Sequence, residues 1–96
     1  MVEVSVIIVN LNTQALLKDC LRSVSQSSVS KEIIVVDNGS TDGSVSMVKE
    51  EFPFVRILCN TSNEGFAKPN NEAMKLARGR YYFLMNSDAQ LLPNSL

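Results

Sequence analysis

Four short runs of hydrophobic residues recur along the chain, separated by more polar segments. Each run is rich in β-branched or aromatic residues and is nearly continuous rather than alternating with polar positions. This pattern is typical of strands that a parallel sheet buries on both faces. The sequence therefore predicts four strands, at residues 4–9, 32–36, 55–58 and 81–85.

The segments between these runs have hydrophobic residues at helical spacing, which predicts three helices. The positions expected to face the core are Leu17, Cys20, Leu21 and Val24 in the first helix, Val45, Val48 and Phe52 in the second, and Ala73, Met74 and Ala77 in the third.

Residues that favour helix ends flank these segments. Asn12 or Thr13 can cap the start of the first helix. Pro53 is expected to end the second helix, because proline has no backbone N–H to continue it. Pro69 fits the first turn of the third helix, and Gly79 follows its last turn as a C-terminal cap would.

The resulting order, β-α-β-α-β-α-β, predicts an α/β fold. We expect a Rossmann-like parallel sheet with right-handed crossovers and helices on both faces. No linker or repeat interrupts the chain, so residues 1–96 are interpreted as a single domain. Because Leu92 and Pro93 resemble the start of another helix, we expect this domain to be the front part of a larger protein.

Composition narrows the possible chemistry. Nine basic and ten acidic residues give a formal net charge of −1, which lacks the basic excess of a typical nucleic-acid-binding protein. The absence of histidine from the sequence excludes histidine-based triads and zinc–imidazole sites within it. Cys20 and Cys59 have no redox or zinc spacing and are expected to be reduced core thiols.

The hydrophobic run at residues 4–9 is too short for a membrane span or a signal peptide. Together with the two reduced cysteines, this predicts a soluble protein located in the cytoplasm, with peripheral attachment to a membrane as the alternative.

Polar residues follow every predicted strand, and ligands of open α/β sheets bind beyond the carboxyl ends of the strands. Side chains of this kind donate and accept hydrogen bonds toward a base, a ribose or a phosphate. The alternative is that asparagine and aspartate favour turns in any protein. The four clusters are Asn10 and Asn12; Asp37, Asn38 and Gly39; Asn60, Thr61, Ser62 and Asn63; and Asn86, Ser87 and Asp88.

Asp37 is the sharpest single candidate. A carboxylate directly after the second strand has the position of the nucleoside-binding acid in many doubly wound sheets. The alternative is an Asx turn leading into Gly39. Gly39 and Gly43 complete neither a dinucleotide-binding motif nor a Walker motif, so dinucleotide cofactors and Walker-type ATPase chemistry are poorly supported.

Two further charged residues are candidates. Asp88, with the carbonyl oxygen of Asn86, can hold Mg²⁺ or Mn²⁺ if substrate phosphates and water complete the coordination. The alternative is that Asp88 caps the next helix. Lys68 places a cation at the start of the third helix, where a diphosphate can dock, and the alternative is a solvated surface lysine.

Taken in order, these motifs resemble the N-terminal part of a family 2 glycosyltransferase of the GT-A type. Val9 stands where commoner members have proline, which is similar to a rhamnosyltransferase-like subgroup. The resemblance covers all 96 residues but only the front portion of a usual member. The similar segments are residues 4–12, residues 32–44, residues 63–67 with Asn71, and Asn86-Ser87-Asp88.

The resemblance implies a nucleotide-sugar donor site. Asp37 would bind the base or ribose, and the turn from Asn10 to Asn12 would lie against the nucleotide. A divalent cation, Mg²⁺ or Mn²⁺, would bridge the donor diphosphate. The implied nucleotide-binding residues are Asn10, Asn12, Asp37, Asn38, Lys68 and Asn71, and the implied metal ligands are Asp88 and Asn86.

The resemblance also implies an activity. A sugar would pass from a nucleoside-diphosphate sugar to a hydroxyl of a saccharide or lipid-linked acceptor, in cell-surface polysaccharide synthesis. This chain would carry the donor-binding half and be inactive alone, since no residue in it matches the family's general base. Two alternatives stay open: a non-catalytic nucleotide-binding or Mg²⁺-binding α/β domain, and an inactive fragment that self-associates through its exposed fourth strand.

Overall fold

The computed structural model describes residues 2–65 and 67–86. Strands and helices alternate along these residues in the predicted order, and each strand end lies within one residue of its predicted position. The four predicted strands are therefore confirmed. The elements are β1 (Val4–Asn10), α1 (Gln14–Ser25), β2 (Lys31–Asp37), α2 (Ser44–Glu51), β3 (Arg56–Cys59), α3 (Ala67–Leu76) and β4 (Tyr81–Asn86).

The described strands form one parallel sheet in the order β3-β2-β1-β4. The register places Asn10 opposite Asp37, and Val9 opposite Asn86. The carboxyl ends of β1, β2 and β4 therefore meet at one edge of the sheet, which we call the carboxyl edge. The strand order reverses direction between β1 and β4, and ligands of doubly wound sheets bind at such a reversal.

Helices cover both faces of this sheet, as predicted. Successive residues of β1 and β2 point into different cores, which explains why their hydrophobic runs are continuous. The core under α1 and α2 includes Val6, Ile8, Leu17, Leu21, Ile33, Val35 and Val48. The core under α3 is formed by Ile7, Ile34, Val36 and Ala73.

The predicted inner faces of α1 and α3 are confirmed. All four positions expected in α1 are buried. In α3, Ala73 is buried and Met74 packs against the same core, as does Ala77, the residue that follows the helix. Cys20 lies in the core as expected, but Cys59 is exposed at the end of β3, so that prediction is wrong for Cys59; neither cysteine forms a disulfide. Within the part of the chain that the structure describes, no helix has the length and apolar content needed to cross a membrane.

The inner face of α2 differs from the prediction at one position. Val45 is only half-buried, and Met47 lies in the core instead. The helix begins at Ser44, and the face that contains Ser44, Met47 and Val48 points inward, since residues three and four apart share one side of a helix. The helix ends immediately before its C-cap, Phe52, as the following proline predicts.

Pro69 lies in the first turn of α3 as predicted, but Gly79 does not cap this helix, so that prediction is wrong. The helix ends at Leu76, and the φ of Gly79 lies outside the left-handed region. A Cβ atom at Gly79 would lie 2.5 Å from the backbone nitrogen of Ser5. The close approach of two backbone segments, rather than helix capping, therefore requires glycine here.

A buried carboxylate, Glu32, organises the opposite, amino-terminal edge of the sheet. It accepts hydrogen bonds from Ser5 Oγ at 2.7 Å and from the backbone N–H of Arg78, and it faces the guanidinium groups of Arg56 and Arg78 at 3.5 and 3.8 Å. Burial alone would raise the pKa of Glu32, but these hydrogen bonds and charges outweigh it and hold the pKa below its ordinary value. Glu32 thus ties the start of β2 to the connection between α3 and β4.

Candidate functional site

Three polar side chains, those of Asn10, Asp37 and Asn38, lie together at the carboxyl edge, and each residue is at most 3% exposed. The amide of Asn10 donates to Asp37 Oδ1 at 2.9 Å. The backbone N–H of Asn38 donates to the carbonyl oxygen of Asn10 at 2.8 Å. The ends of β1 and β2 are therefore joined through side chains as well as backbone, and the structure brings together three of the predicted binding residues.

Asp37 accepts four hydrogen bonds, two on each carboxylate oxygen. Oδ1 accepts from the Asn10 amide and from the Ser40 hydroxyl, the latter at 2.7 Å. Oδ2 accepts from the backbone N–H groups of Gly39 and Ser40 at 3.2 and 2.8 Å. The Asx-turn alternative is thus realised in the structure. A direct contact of Asp37 with a nucleotide stays a prediction.

The turn between β1 and α1 is held against the loop between β2 and α2. Asn12 has a φ of 49°, in the left-handed region that is uncommon for residues other than glycine. Its backbone N–H donates to Ser40 Oγ at 2.9 Å, and its side-chain oxygen accepts from the N–H of Thr41 at 2.8 Å. Asn12 is therefore fixed in an exposed turn by two hydrogen bonds to the neighbouring loop.

Asp42 completes the first turns of two helices. Thr13 occupies the N-cap position of α1 but makes no side-chain cap hydrogen bond; its hydroxyl donates to Asn10 Oδ1 at 2.7 Å. Asp42 Oδ2 instead accepts from the N–H of Gln14 at 3.0 Å, and Oδ1 accepts from Ser44 through both its N–H and its hydroxyl. These hydrogen bonds, that of the Ser44 hydroxyl foremost, lower the pKa of Asp42 below its ordinary value.

Asn38 fixes the loop between β3 and α3. Its amide nitrogen donates to the carbonyl oxygen of Gly65 at 2.8 Å, while its Oδ1 accepts from Asn60 Nδ2 and from the N–H of Glu64 at 3.1 and 3.3 Å. With one acceptor on one side and two donors on the other, a single orientation of the amide satisfies all three contacts. Asn38 therefore holds residues 60–65 against the end of β2.

Lys68 and Asn71, the two candidates on α3, are both exposed. Lys68 Nζ lies 3.6 Å from Glu64 Oε1, and the lysine side chain is 64% exposed. The hydrogen bond between Asn38 and Gly65 brings the start of α3 to the carboxyl edge. Lys68 and Asn71 thus lie outside the buried cluster, and Lys68 follows Gly65, a partner of Asn38, by three residues along the chain.

One of the two predicted metal ligands, Asn86, is the last residue of β4. The backbone of Asn86 pairs with that of Val9, one residue before Asn10, so β4 ends next to the cluster. Asp88 lies outside the described residues. Among residues 2–65 and 67–86, no group of three or more cysteine, aspartate or glutamate side chains is arranged to hold a metal ion.

Two residues that organise the edge, Ser40 and Asp42, are not among the candidates predicted from the sequence. The sequence does contain a signal for Asp42, because an aspartate shortly before a hydrophobic helical segment is typical of a helix start. That Asp42 also serves α1 has no sequence signal, since its partner Gln14 lies 28 residues away along the chain. Both aspartates at this edge, Asp37 and Asp42, accept hydrogen bonds from groups of the protein itself, so both organise the loops of the edge.

Comparison with known proteins identifies related sequences along almost the whole chain. The family model described as "Glycosyl transferase family 2" matches residues 5–96. The uncharacterized glycosyltransferase YibD of Escherichia coli is 33% identical over 95 residues, which cover 95% of this chain and 27% of that protein. The poly(ribitol-phosphate) beta-glucosyltransferase of Bacillus spizizenii is 33% identical over 93 residues, which cover 90% of this chain and 15% of that protein.

Solved structures share the fold. An S. aureus TarS structure matches with a TM-score of 0.81 and 27% identity over 90% of this chain and 27% of that chain, and TarS is also known in complexes with UDP-GlcNAc and with UDP. The mannosyltransferase PcManGT from Pyrobaculum calidifontis, in complex with GDP-Man and Mn²⁺, matches with a TM-score of 0.81 and 29% identity over 95% of this chain and 28% of that chain. The Rossmann-like fold is thus confirmed, and the chain spans 15–28% of the length of these relatives.

Proposed function

Because the chain belongs to glycosyl transferase family 2, we propose that it forms the donor-binding part of a glycosyltransferase. The observation that carries this proposal is at the carboxyl edge of the sheet. There Asn10, Asp37 and Asn38 are joined by hydrogen bonds beside the end of β4. Ligands of doubly wound sheets bind at such an edge. The proposed donor is a nucleoside-diphosphate sugar, a class to which the GDP-Man of PcManGT and the UDP-GlcNAc of TarS belong.

The proposed nucleotide site combines the buried cluster with its exposed surroundings. The turn at Asn12 and the start of α3 flank the cluster. At the start of α3, Lys68 offers a positive charge to the diphosphate. The ion pair between Lys68 and Glu64 is exposed, and such pairs contribute little free energy, so Lys68 can exchange its partner for a phosphate. The proposed nucleotide-binding residues are Asn10, Asn12, Asp37, Asn38, Lys68 and Asn71.

The proposed cofactor is a divalent cation, Mg²⁺ or Mn²⁺, with Asp88 and Asn86 as the protein ligands. Support comes from the Mn²⁺ of the PcManGT complex and from the position of β4 beside β1. A single nearby acid suits a hard cation that keeps phosphate and water oxygens in its coordination sphere. When bound, such a cation neutralises charge on the departing diphosphate.

For the whole protein, the proposed reaction is transfer of the sugar to a hydroxyl of a saccharide or lipid-linked acceptor, in cell-surface polysaccharide synthesis. The name of the Bacillus spizizenii relative, a glucosyltransferase for poly(ribitol-phosphate), supports transfer of a sugar to a polymer that carries hydroxyl groups. Residues 1–96 are expected to bind the donor without transferring its sugar. The rhamnosyltransferase-like subgroup, the cytoplasmic or membrane-peripheral location and the absence of a nucleic-acid partner stay predictions.

We also propose that the chain self-associates through β4. This strand lies at an edge of the described sheet, and edge strands present unpaired backbone groups to other chains. Tyr81, Tyr82 and Leu84 are between 44% and 58% exposed, so the strand also offers apolar surface to a second copy.

Calorimetric titration of the 96-residue chain with UDP, dTDP and GDP, each with and without Mn²⁺, tests the donor site. We expect cation-dependent binding of a pyrimidine nucleoside diphosphate with a dissociation constant between micromolar and millimolar. Asp37→Ala is expected to weaken the binding, so its heats should differ from those of the wild type. Folded wild-type protein that binds none of the three nucleotides would contradict the proposed function.

A second titration locates the diphosphate. Lys68→Ala is expected to weaken binding of UDP and to leave binding of uridine unchanged, because only UDP has phosphates for the lysine to contact. Lys75→Ala is the matched control, since Lys75 is an exposed lysine in the last turn of the same helix. Equal effects of the two substitutions on UDP binding would overturn the assignment of Lys68.

A further inference from the structure

The carboxylate of Asp37 has no vacant acceptor position in its folded loop. Its two oxygens accept four hydrogen bonds, from the Asn10 amide, the Ser40 hydroxyl and the backbone N–H groups of Gly39 and Ser40. A carboxylate has about four lone-pair positions. The residue is also only 2% exposed. A nucleotide would have to displace one of these donors to reach it.

The Ser40 hydroxyl connects this carboxylate to the turn between β1 and α1. It donates its hydrogen to Asp37 Oδ1 at 2.7 Å, and its oxygen accepts from the backbone N–H of Asn12 at 2.9 Å. A hydroxyl has one hydrogen to donate. The carboxylate therefore directs that hydrogen toward itself and leaves the lone pairs of Ser40 to accept from Asn12 N–H and, at 3.3 Å, from the Asn10 amide.

Asn12 depends on this arrangement because its backbone is in a costly conformation. Its φ of 49° places it in the left-handed region, which is sterically unfavourable for a residue with a Cβ atom. The hydrogen bonds from Asn12 N–H to Ser40 Oγ and from Thr41 N–H to Asn12 Oδ1 hold it there. If the Ser40 hydroxyl is not oriented by Asp37, the hydrogen bond from Asn12 N–H to Ser40 Oγ is lost.

We infer that Asp37 is a positioning residue of the donor site: through Ser40 it holds the Asn12 turn in its binding conformation before any nucleotide arrives. The inference rests on the proposed function, since it concerns the same site. It changes the expected role of Asp37 from a direct ligand of the nucleotide to the anchor of a relay that runs from Asp37 to Ser40 to Asn12.

Amide hydrogen exchange of the ligand-free 96-residue chain tests the relay. Asp37→Asn is expected to accelerate exchange of the Asn12 amide about tenfold, the factor that corresponds to one hydrogen bond of ordinary strength, although Asp37 does not touch that amide. Ser40→Ala should do the same, and Ser40→Thr, which keeps the hydroxyl, should restore slow exchange. The core amide of Ile34 reports global unfolding and should change far less in each variant.

UDP titrations of the same variants supply the second measurement. Asp37→Asn and Ser40→Ala are each expected to weaken UDP binding about tenfold, and the double substitution should be no weaker than Asp37→Asn alone, because both act through one relay. The exposed carboxylate of Asp19 on α1 provides the control, and Asp19→Asn should alter neither measurement.

Two results would overturn the inference. One is unchanged Asn12 exchange in Asp37→Asn together with lost UDP affinity, which would make Asp37 a direct ligand. The other is equal acceleration at Asn12 and Ile34, which would show a merely global effect on stability. If the wild-type chain binds no nucleotide, the proposed function fails, and the exchange measurement still decides whether the relay exists.

Discussion

Asp42, in the loop that precedes α2, accepts a hydrogen bond from the backbone N–H of Gln14, the first residue of α1, at 3.0 Å. The same carboxylate accepts from Ser44 at the start of α2. The first turn of a helix has N–H groups without intrahelical partners. One side chain therefore completes two helices and fixes the two loops of the carboxyl edge relative to each other.

Asp42→Ala is expected to lower the free energy of unfolding by about 1–2 kcal/mol, the usual cost of losing a helix-capping side chain. The control is Asp19→Ala, which removes an exposed carboxylate from α1 and should change stability by no more than about 0.5 kcal/mol. Urea unfolding of both variants measures the difference. Equal stability of the two would show that Asp42 does not serve as a shared cap.

The strands and their alternation with helices along the chain were predictable because the physical cause acts locally. Val6 and Ile8 of β1 face one core and Ile7 faces the other, so residues 4–9 are hydrophobic except at Ser5, and this nearly continuous pattern is visible in the sequence alone. The inner face of α2 was harder to predict, because the helix begins at Ser44 and a polar residue occupies an inward position. Val45 was therefore assigned to the core in place of Met47.

The organisation of the site was less predictable, since it depends on contacts between distant segments. Clustering of Asn10, Asp37 and Asn38 follows from parallel strands whose carboxyl ends meet at one edge, so their proximity could be expected. The hydrogen-bond donors to the Asp37 carboxylate could not be predicted, because one of them, the Asn10 amide, belongs to another strand. Likewise, Gly79 follows a helix in sequence, but its contact is with the start of β1.

Stability is expected to fall in acid because Glu32 has a lowered pKa in the folded state, as does Asp42. An acid with a lower pKa in the folded than in the unfolded chain stabilises the fold above its unfolded pKa. That stabilisation is lost as the pH falls through the folded value. Since unfolded carboxyl groups titrate near pH 4, the free energy of unfolding should decline from about pH 5 downward.

Urea unfolding at a series of pH values between about 3 and 7 measures this decline. Glu32→Gln removes one of the two carboxyl groups, those of Glu32 and Asp42, whose lowered pKa is described above. The free energy of unfolding should therefore decline less steeply as the pH falls. Glu50→Gln is the control, because Glu50 is an exposed residue of α2. An acid decline of the same steepness in Glu32→Gln as in the wild type would contradict the contribution of Glu32.

Asn38→Asp is expected to release the loop at residues 60–65. The substitution replaces the amide that donates to the Gly65 carbonyl with an oxygen, so two acceptors would face each other in a buried position. Losing such a hydrogen bond costs about 1–3 kcal/mol, and nucleotide binding should weaken as the start of α3 separates from the edge. Urea unfolding and UDP calorimetry measure the two effects.

The matched control for that substitution is Asn63→Asp in the same loop. The side-chain oxygen of Asn63 accepts from the N–H of Gly65 at 2.8 Å, and an aspartate can make the same contact. It should therefore preserve both stability and binding. Comparable losses in the two variants would mean that added charge, rather than the lost donor at residue 38, causes the effect.

Leu84→Lys is expected to suppress the proposed self-association through β4. Leu84 is 44% exposed on the edge strand, and a lysine there places a charge that disfavours pairing with a second copy. Sedimentation velocity over a range of concentrations should show association of the wild type and a monomer for the variant.

Leu16→Lys on α1, where Leu16 is 47% exposed, introduces the same charge away from β4 and should leave association intact. A wild-type chain that stays monomeric at the highest concentration would rule out association through this edge, and equal suppression by both lysines would place the contact elsewhere.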